Sequence, residues 1–401
     1  MKKDTTMITR RTLLAASSAV GLGTSLALRR AQAQGAKLKI GLITTLSGPG
    51  GYLGQDIRDA FQLAVDLEGG TLGGAPVQVV VEDDAFKPAQ AKEIADRFYK
   101  SEGIRLFTGI VFSNILAAAV PDLLDSDAVY VSPNAAPSTF SGKDCNRNYY
   151  VVSWNNDSLH EAGGANAQRL GYKRMMLLAP NYQAGKDALT GFKRMFKGEI
   201  VKEIYTRLDQ TDYAAEMAQI RDAKPDAVYQ FHPGGLGIAF MRQYQQAGLL
   251  GQIPMTVAEP SMDSTIVTAL GDAAIGVTVA SHWNTDFDNA ANKLFVSAFM
   301  KKYNRIPTSY ASQGYDAALA IAASLKGTGG KFSGPEAFRT AMLPAKFDSV
   351  RGYFAFGPNQ HPIQNWYALA VEKGADGKPG LHTKDQILTH YGDAYSAQCK
   401  L

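Results

Sequence analysis

The sequence predicts an α/β fold of two doubly wound parallel-sheet lobes, and three observations carry that prediction. Strand-type and helix-type patterns alternate through most of the chain, which calls for parallel strands covered by helices on both faces. The alternation is interrupted once, at about 135–165, by the polar, turn-rich stretch "NAAPSTFSGKDCNRNYYVVSWNNDS". It therefore falls into two similar blocks of roughly 120–190 residues, an ordinary domain size. A length of 401 residues, 45% of them apolar and 19% charged, is enough for two such units with a substantial core.

The elements follow in order. The alternating run "LKIGLIT" at 38–44 predicts a strand. A helix at 54–67 lies behind it, with Ile57, Ala60, Phe61, Ala64 and Leu67 on one face. A strand at 76–84 leads to a helix at 88–100 that opens on Pro88, where a missing N–H costs nothing. A strand at 104–111 precedes a helix at 113–124, with Ser113 or Asn114 placed to cap it and Pro121 to kink it. A strand at 128–133 closes the first block. In the second, strands at 173–180, 200–207, 226–231 and 253–259 alternate with helices at 185–196, 213–224 and 235–248. An extended run at 275–283, helices at 291–304 and 312–327 and a late strand at 365–374 complete the chain.

Residues 1–33 stand apart from this pattern. A basic start, an apolar small-residue run from Leu13 to Leu28 and the terminal Ala31-Gln32-Ala33 compose an export signal peptide. Arg10-Arg11 directly before Thr12-Leu13-Leu14 makes it the twin-arginine type. The alternative is an uncleaved anchor, but the run is short and interrupted for a span of about 20 apolar residues. The segment holds six basic residues against one acid, a net +5 of the chain's +4, so the remainder carries −1. That near-neutral remainder gives no electrostatic case for nucleic acid. Cys145 and Cys399 are the only cysteines, and an exported chain with an even count favours a disulfide over two buried thiols.

In open α/β sheets, ligands sit beyond the carboxyl ends of the strands, so the loops just after each strand are the candidate site. The first, "TTLSGPGGYLGQD", is glycine-rich, yet it has no P-loop Lys and an incomplete dinucleotide fingerprint. It offers instead an aromatic, Tyr52, at a helix start; the alternative is a surface tyrosine capping a loop. After the third strand, Ser113 sits at a helix N-terminus that favours an anion, a role compatible with plain capping. Asn134, Ala135 and Ala136 follow the fourth strand, with side chains small enough for a ligand to approach the backbone. In the second block Tyr182, His232 and Glu259 each follow a strand, and His282 and Trp283 end an extended run. Glu259 suits a ligand ammonium, through a charge-assisted bond worth about 1.5–3 kcal/mol, or else a salt bridge or a surface position. No catalytic or metal-binding constellation emerges: the six histidines are scattered, and H-E-x-x-H, G-x-S-x-G and C-x-x-C are absent. Neither a cofactor nor a metal is expected.

Taken together, "KIGLITTLSGPGGYLGQDIRDAFQLAVD", "VVVEDDAFKPAQAKEIADRF", "YVSPNAAPS" and "TSYASQGYDAALAI" resemble the periplasmic solute-binding proteins of ABC importers, in the branch related to the leucine/isoleucine/valine-binding protein. The resemblance implies two α/β lobes joined by a hinge, with ligand held in the cleft between them. It places lobe one at 35–153 plus 284–362 and lobe two at 154–283 plus 363–401. It also implies first-lobe ligand contacts from Tyr52, Ser113 and the loop Asn134-Ala135-Ala136, and second-lobe contacts from Tyr182, the loop around His232, and Glu259. The chain departs from the amino-acid binders in carrying Asn134-Ala135-Ala136-Pro137 without a Thr hydroxyl, and His232-Pro233-Gly234-Gly235 where a Tyr is usual. Some relatives with "YASQGYD" resemble binders of aromatic carboxylates, for which Tyr52, Trp154, Tyr182 and Trp283 would supply ring contacts.

The expectation is a periplasmic, monomeric carrier, not an enzyme. It would capture a small carboxylate-bearing ligand, either a hydrophobic amino acid or an aromatic carboxylate, and deliver it to the membrane permease of an ABC importer. A receptor module feeding a membrane sensor is the alternative. A nucleotide-dependent α/β enzyme is disfavoured by the incomplete glycine motifs, and a cytoplasmic regulator by the export signal.

Overall fold

The structure, a computed structural model, describes residues 37–401. The export signal read at 1–33 lies outside the described residues. The first sheet is built from β1 (Leu38–Thr44), β2 (Thr71–Leu72), β3 (Ala75–Asp83), β4 (Leu106–Thr108), β5 (Val129–Ser132) and β6 (Tyr149–Val151), in the order β2-β3-β1-β4-β5-β6. All its pairings are parallel except that of β2, a two-residue strand turned back on β3. The second contains β7 (Arg174–Pro180), β8 (Glu199–Thr206), β9 (Ala227–Gln230), β10 (Met255–Ala258), β11 (Thr278–Ser281), β12 (Phe354–Phe356), β13 (Pro362–Lys373) and β14 (Pro379–Tyr391). Its order is β12-β13-β11-β10-β9-β7-β8, with β14 on β13. The strands β7 to β11 are parallel, whereas β12, β13 and β14 add antiparallel pairings.

Each sheet is buried on both faces. Along β1, Ile40 and Leu42 enter one apolar cluster while Ile43 enters the other, the period-2 alternation of a strand between two helical layers. The helix Gly51–Leu67 begins three residues before its expected start. Gly54 permits this: a Cβ there would stand 2.0 Å from the Thr45 carbonyl oxygen, so the helix start lies directly on the strand-end loop. That helix packs against the long helix Ser309–Gly327.

The polar break holds more structure than its composition suggested. It contains β6 and the helix Asn156–Arg169, whose N-cap Asn155 accepts from the Asp157 N–H at 3.0 Å and the Ser158 N–H at 3.3 Å. The helix is hidden because it buries polar groups, Asp157, His160, Glu161 and Asn166 among them, instead of an apolar stripe. Asp157 and Glu161 are met by Arg194, Tyr395 and Tyr391, which supply the partners that buried carboxylates require. Pro121 divides the expected helix at 113–124 into Ser113–Ala119 and Pro121–Leu124. The cap of the first is Phe112, not Ser113 or Asn114, and it makes no side-chain bond.

The chain crosses between the sheets near 152–154 and 282–286 and returns to the second sheet before β12. Arg351, 2% exposed, ties the first crossing to the helix Ser309–Gly327 and to β13. Its Nε donates to Asp316 Oδ2 at 3.0 Å, and its Nη1 to the Ser153 carbonyl at 2.9 Å and Gln364 Oε1 at 2.7 Å. Cys145 and Cys399 form a disulfide, as their even count suggested. It fastens the C-terminal tail to the loop after β5 and closes 254 residues, worth about 5 kcal/mol as an entropic ceiling. Among the described residues, no helix is long and apolar enough to cross a membrane.

Candidate functional site

The carboxyl ends of the two sheets face one another across a narrow cleft. From the first sheet come Phe112 and Ser113 after β4 and Asn134 after β5, joined by Tyr310 from the start of the helix Ser309–Gly327. From the other side come Trp154, Asn156 and His160, with Tyr182 after β7 and Phe231 after β9. The walls are aromatic. Tyr182 stacks on Phe231 with centroids 6.4 Å apart, and Trp154 meets Tyr310 edge-on at the same separation. The cavity left between them is about 20 Å³, room for about one water, so an aromatic ligand requires the lobes to part.

The polar groups of the cleft are neutral: among the described residues, no Lys, Arg, Asp or Glu lines it. Ser113 Oγ accepts from Asn156 Nδ2 at 3.0 Å, which leaves the Ser113 O–H free to donate to an anion. Asn156 Nδ2 also donates to Asp187 Oδ2 at 3.0 Å, behind the cleft wall. Burial pushes Asp187 up to about 6 despite that bond and the one from Gln183. The Tyr182 hydroxyl has no hydrogen-bond partner among the described residues, and burial raises its pKa, so it stays a donor. His160 Nδ1 lies 2.5 Å from the Tyr229 hydroxyl, and burial pushes this ring down to about 3, which keeps it uncharged.

The structure brings Ser113, Asn134 and Tyr182 together and distributes the other expected residues around them. Asn134 Nδ2 donates to Gln313 Oε1 at 2.8 Å. The carbonyls of Ala135 and Ala136 are occupied: Ser132 and Tyr149 hydroxyls bond the first, and the Asn156 N–H the second. Tyr52 reaches across the gap and donates to Asp263 Oδ2 at 2.8 Å. The His232 ring turns away from the cleft into the second lobe's core. There its Nε2 meets Thr206 Oγ1 at 3.0 Å, its Nδ1 meets Gln230 Oε1 at 2.8 Å, and it stacks on Phe240. Burial pushes it down to about 3.

Glu259 also turns away. Its Oε1 lies 2.5 Å from His282 Nδ1, its Oε2 accepts from Ser281 Oγ, and burial pushes it up to about 8. Trp283 donates from Nε1 to Asn292 Oδ1 at 2.7 Å. Glu259 and Trp283 line a second cavity that shares no lining residue with the cleft. Asn156, His160, Phe231 and Tyr310 are cleft residues that sequence reasoning missed. A signal existed for Phe231, which precedes His232: along a strand end only one of two neighbours faces the crevice. Chemically, once the lobes part, the cleft offers aromatic walls to a flat ring and neutral donors to an anion. Among the described residues, no group of three or more His, Cys, Asp or Glu is placed to hold a metal ion.

Comparison with known proteins agrees with this geometry. Residues 37–378 match the family described as periplasmic binding protein. The chain is 29% identical over 351 residues to Leu/Ile/Val-binding protein homolog 6 of Brucella melitensis, covering 85% of this chain and 89% of that one. Among solved structures, it is similar to a solute-binding protein of an ABC transporter from R. palustris in complex with benzoate. The TM-score is 0.86 and the identity 30%, over 91% of this chain and 100% of that one. A solute-binding protein from Rhodopseudomonas palustris BisB5 in complex with 3,4-dihydroxybenzoic acid gives a TM-score of 0.84 at 29% identity, over 89% and 99% of the two chains.

Proposed function

The chain belongs to the periplasmic binding protein family, and from that premise we propose that it captures an aromatic carboxylate, of the benzoate class, for an ABC importer. The observation that carries this reading over a hydrophobic amino acid is the charge of the cleft. An amino acid brings an ammonium, and the acid expected to meet it, Glu259, faces Ser281 and His282 instead. A ring with one carboxylate asks only for aromatic walls and neutral donors. Phe112, Trp154, Tyr182, Phe231 and Tyr310 supply the walls. The Ser113 hydroxyl, Asn156 amide and Tyr182 phenol would supply the donors, each bond to the anion contributing about 1.5–3 kcal/mol.

In this reading the chain is a carrier and catalyses nothing. It is exported by its leader to the periplasm, acts as a monomer, and presents its loaded form to a membrane permease. Lobe one, 35–153 plus 284–362, closes on lobe two, 154–283 plus 363–401, about the crossings of the chain between the sheets. Ligand favours the closed state by touching both lobes at once.

Calorimetric titration of the purified protein with benzoate, 4-hydroxybenzoate and leucine tests the proposal. The benzoates should bind and leucine should not. Ser113→Ala should weaken benzoate about tenfold, and Tyr182→Phe by a similar factor, with unchanged melting temperatures. Leucine binding without benzoate binding would overturn the reading.

A further inference from the structure

His160 lines the cleft one turn after Asn156, on the same face of the helix Asn156–Arg169 and about 6 Å along its axis. Asn156 meets Ser113, where the anion is read. His160 therefore lies one helical turn away from that end, a spacing comparable to the length of a benzoate ring.

The hydrogen bonds around His160 fix which ring nitrogen carries the hydrogen. The Tyr229 hydroxyl is buried, and His160 Nδ1, at 2.5 Å, is its only partner among the described residues. A phenol proton sealed from water needs an acceptor. If Nδ1 carried the hydrogen, the Tyr229 proton would have none. Tyr229 therefore donates, Nδ1 accepts, and the neutral imidazole carries its hydrogen on Nε2. Burial pushes the ring down to about 3, so it keeps this neutral form near pH 7.

Nε2 has no hydrogen-bond partner among the described residues. It is not sealed in the interior, unlike the equally unpartnered Nε2 atoms of His282, His361 and His382. With Nδ1 turned to Tyr229, the opposite edge of the ring, Nε2 with it, faces the cleft. Phe231, in edge contact with centroids 4.7 Å apart, holds the ring in this orientation.

We propose that His160 determines specificity within the cleft: resting on the benzoate reading, its Nε2–H donates to an oxygen carried on the ring opposite the carboxylate, with Tyr229 as the positioning residue that fixes the tautomer. The preferred ligand is then a para-oxygenated benzoate. A ring with no acceptor at that point leaves a desolvated N–H unpaired, the situation in which a site discriminates most sharply. A para-amino group, similar in size but a poor acceptor, gains little.

Calorimetry at pH 7 with benzoate, 4-hydroxybenzoate and 4-aminobenzoate tests the proposal. 4-Hydroxybenzoate should bind at least about tenfold tighter than either of the others. The readout is that ratio, because a loss of packing weakens all of them alike. His160→Met, which removes the donor, should bring the ratio to about two or below. His160→Gln, which returns an N–H at similar reach, should restore much of it, and Tyr229→Phe should lower it. In protein labelled with 15N-histidine, the ring resonances lost in His160→Gln should report the Nε2–H tautomer, and Tyr229→Phe should shift them toward a mixture of tautomers. Equal affinities for all the ligands, a ratio that survives His160→Met, or an Nδ1–H tautomer would overturn the role of His160 and leave the benzoate reading standing. Binding of none of these ligands would overturn both.

Discussion

At the scale of single residues, burial sets the charge state of the groups around the cleft. Glu259 illustrates the consequence for stability. Its pKa is lifted by burial from an ordinary 4.5 to about 8, against the opposing effect of its bond from Ser281 and the Arg351 charge. A carboxyl that holds its proton more tightly folded than unfolded contributes stability that is complete below its unfolded pKa. That contribution is lost as pH rises through the folded pKa. Urea unfolding should therefore show stability falling between about pH 4.5 and about pH 8, with Asp263, lifted from 3.8 to about 7, adding to the same decline. Glu259→Gln, which keeps a neutral hydrogen-bonding group, should flatten the curve; an equal slope in the variant would refute the assignment. Much of the cleft was legible at this scale. Ser113, Asn134 and Tyr182 follow strands, and the rule that ligands sit beyond strand ends found them. The orientations of His232 and Glu259 were not legible. Each follows a strand as well, and only the bonds to Thr206 and Gln230, or to Ser281 and His282, decide which way the side chain turns.

Among the elements, the strands and amphipathic helices were legible because their periods are written in apolar residues, as in the helix Pro88–Lys100 and the strand Leu38–Thr44. Three kinds of element were not. The helix Asn156–Arg169 buries polar side chains whose partners come from distant Arg194, Tyr391 and Tyr395. The three-residue β6 is too short for a period to register. The long β14 alternates weakly, since it covers the edge of β13 and remains half exposed. Close packing between elements is a further property that no local pattern reveals. Gly314, inside the helix Ser309–Gly327, would place a Cβ 2.4 Å from the Ile57 carbonyl oxygen and 2.8 Å from its Cα. Two opposing effects meet at Gly314→Ala. Replacing a mid-helix glycine gains up to about 1 kcal/mol of helix propensity. Forcing two backbones apart costs about 1–3 kcal/mol. Because the obstacle is backbone, the second effect should win, with a net loss of about 1–2 kcal/mol in urea melts. A variant as stable as wild type would mean that the two helices can separate freely.

For the molecule as a whole, function depends on how the lobes meet, and part of that meeting is built without ligand. The Tyr52 hydroxyl bonds Asp263 across the gap at 2.8 Å, and the Gly235 N–H bonds the Pro49 carbonyl at 3.0 Å. The glycine-rich turn that could have been a phosphate cradle thus serves as one jaw of the closure. Such contacts exist only when the lobes are together, so they set how much of the unliganded protein is closed. In this reading closure over a ligand re-forms the same contacts, so they add to the stability of the loaded state. Tyr52→Phe keeps the ring and deletes one hydrogen bond, worth about 0.5–1.5 kcal/mol and hence about a 2- to 10-fold drop in the ratio of closed to open molecules. Benzoate binding should weaken by a factor in that range through a faster off-rate, with little change in the urea midpoint. Small-angle scattering separates this role from direct ligand contact. A closure contact predicts a larger radius of gyration for the variant before any ligand is added, whereas a pure ligand contact leaves the unliganded protein unchanged. Identical scattering together with weakened binding would return Tyr52 to the role of a cleft residue, and identical scattering with unchanged binding would remove it from the mechanism.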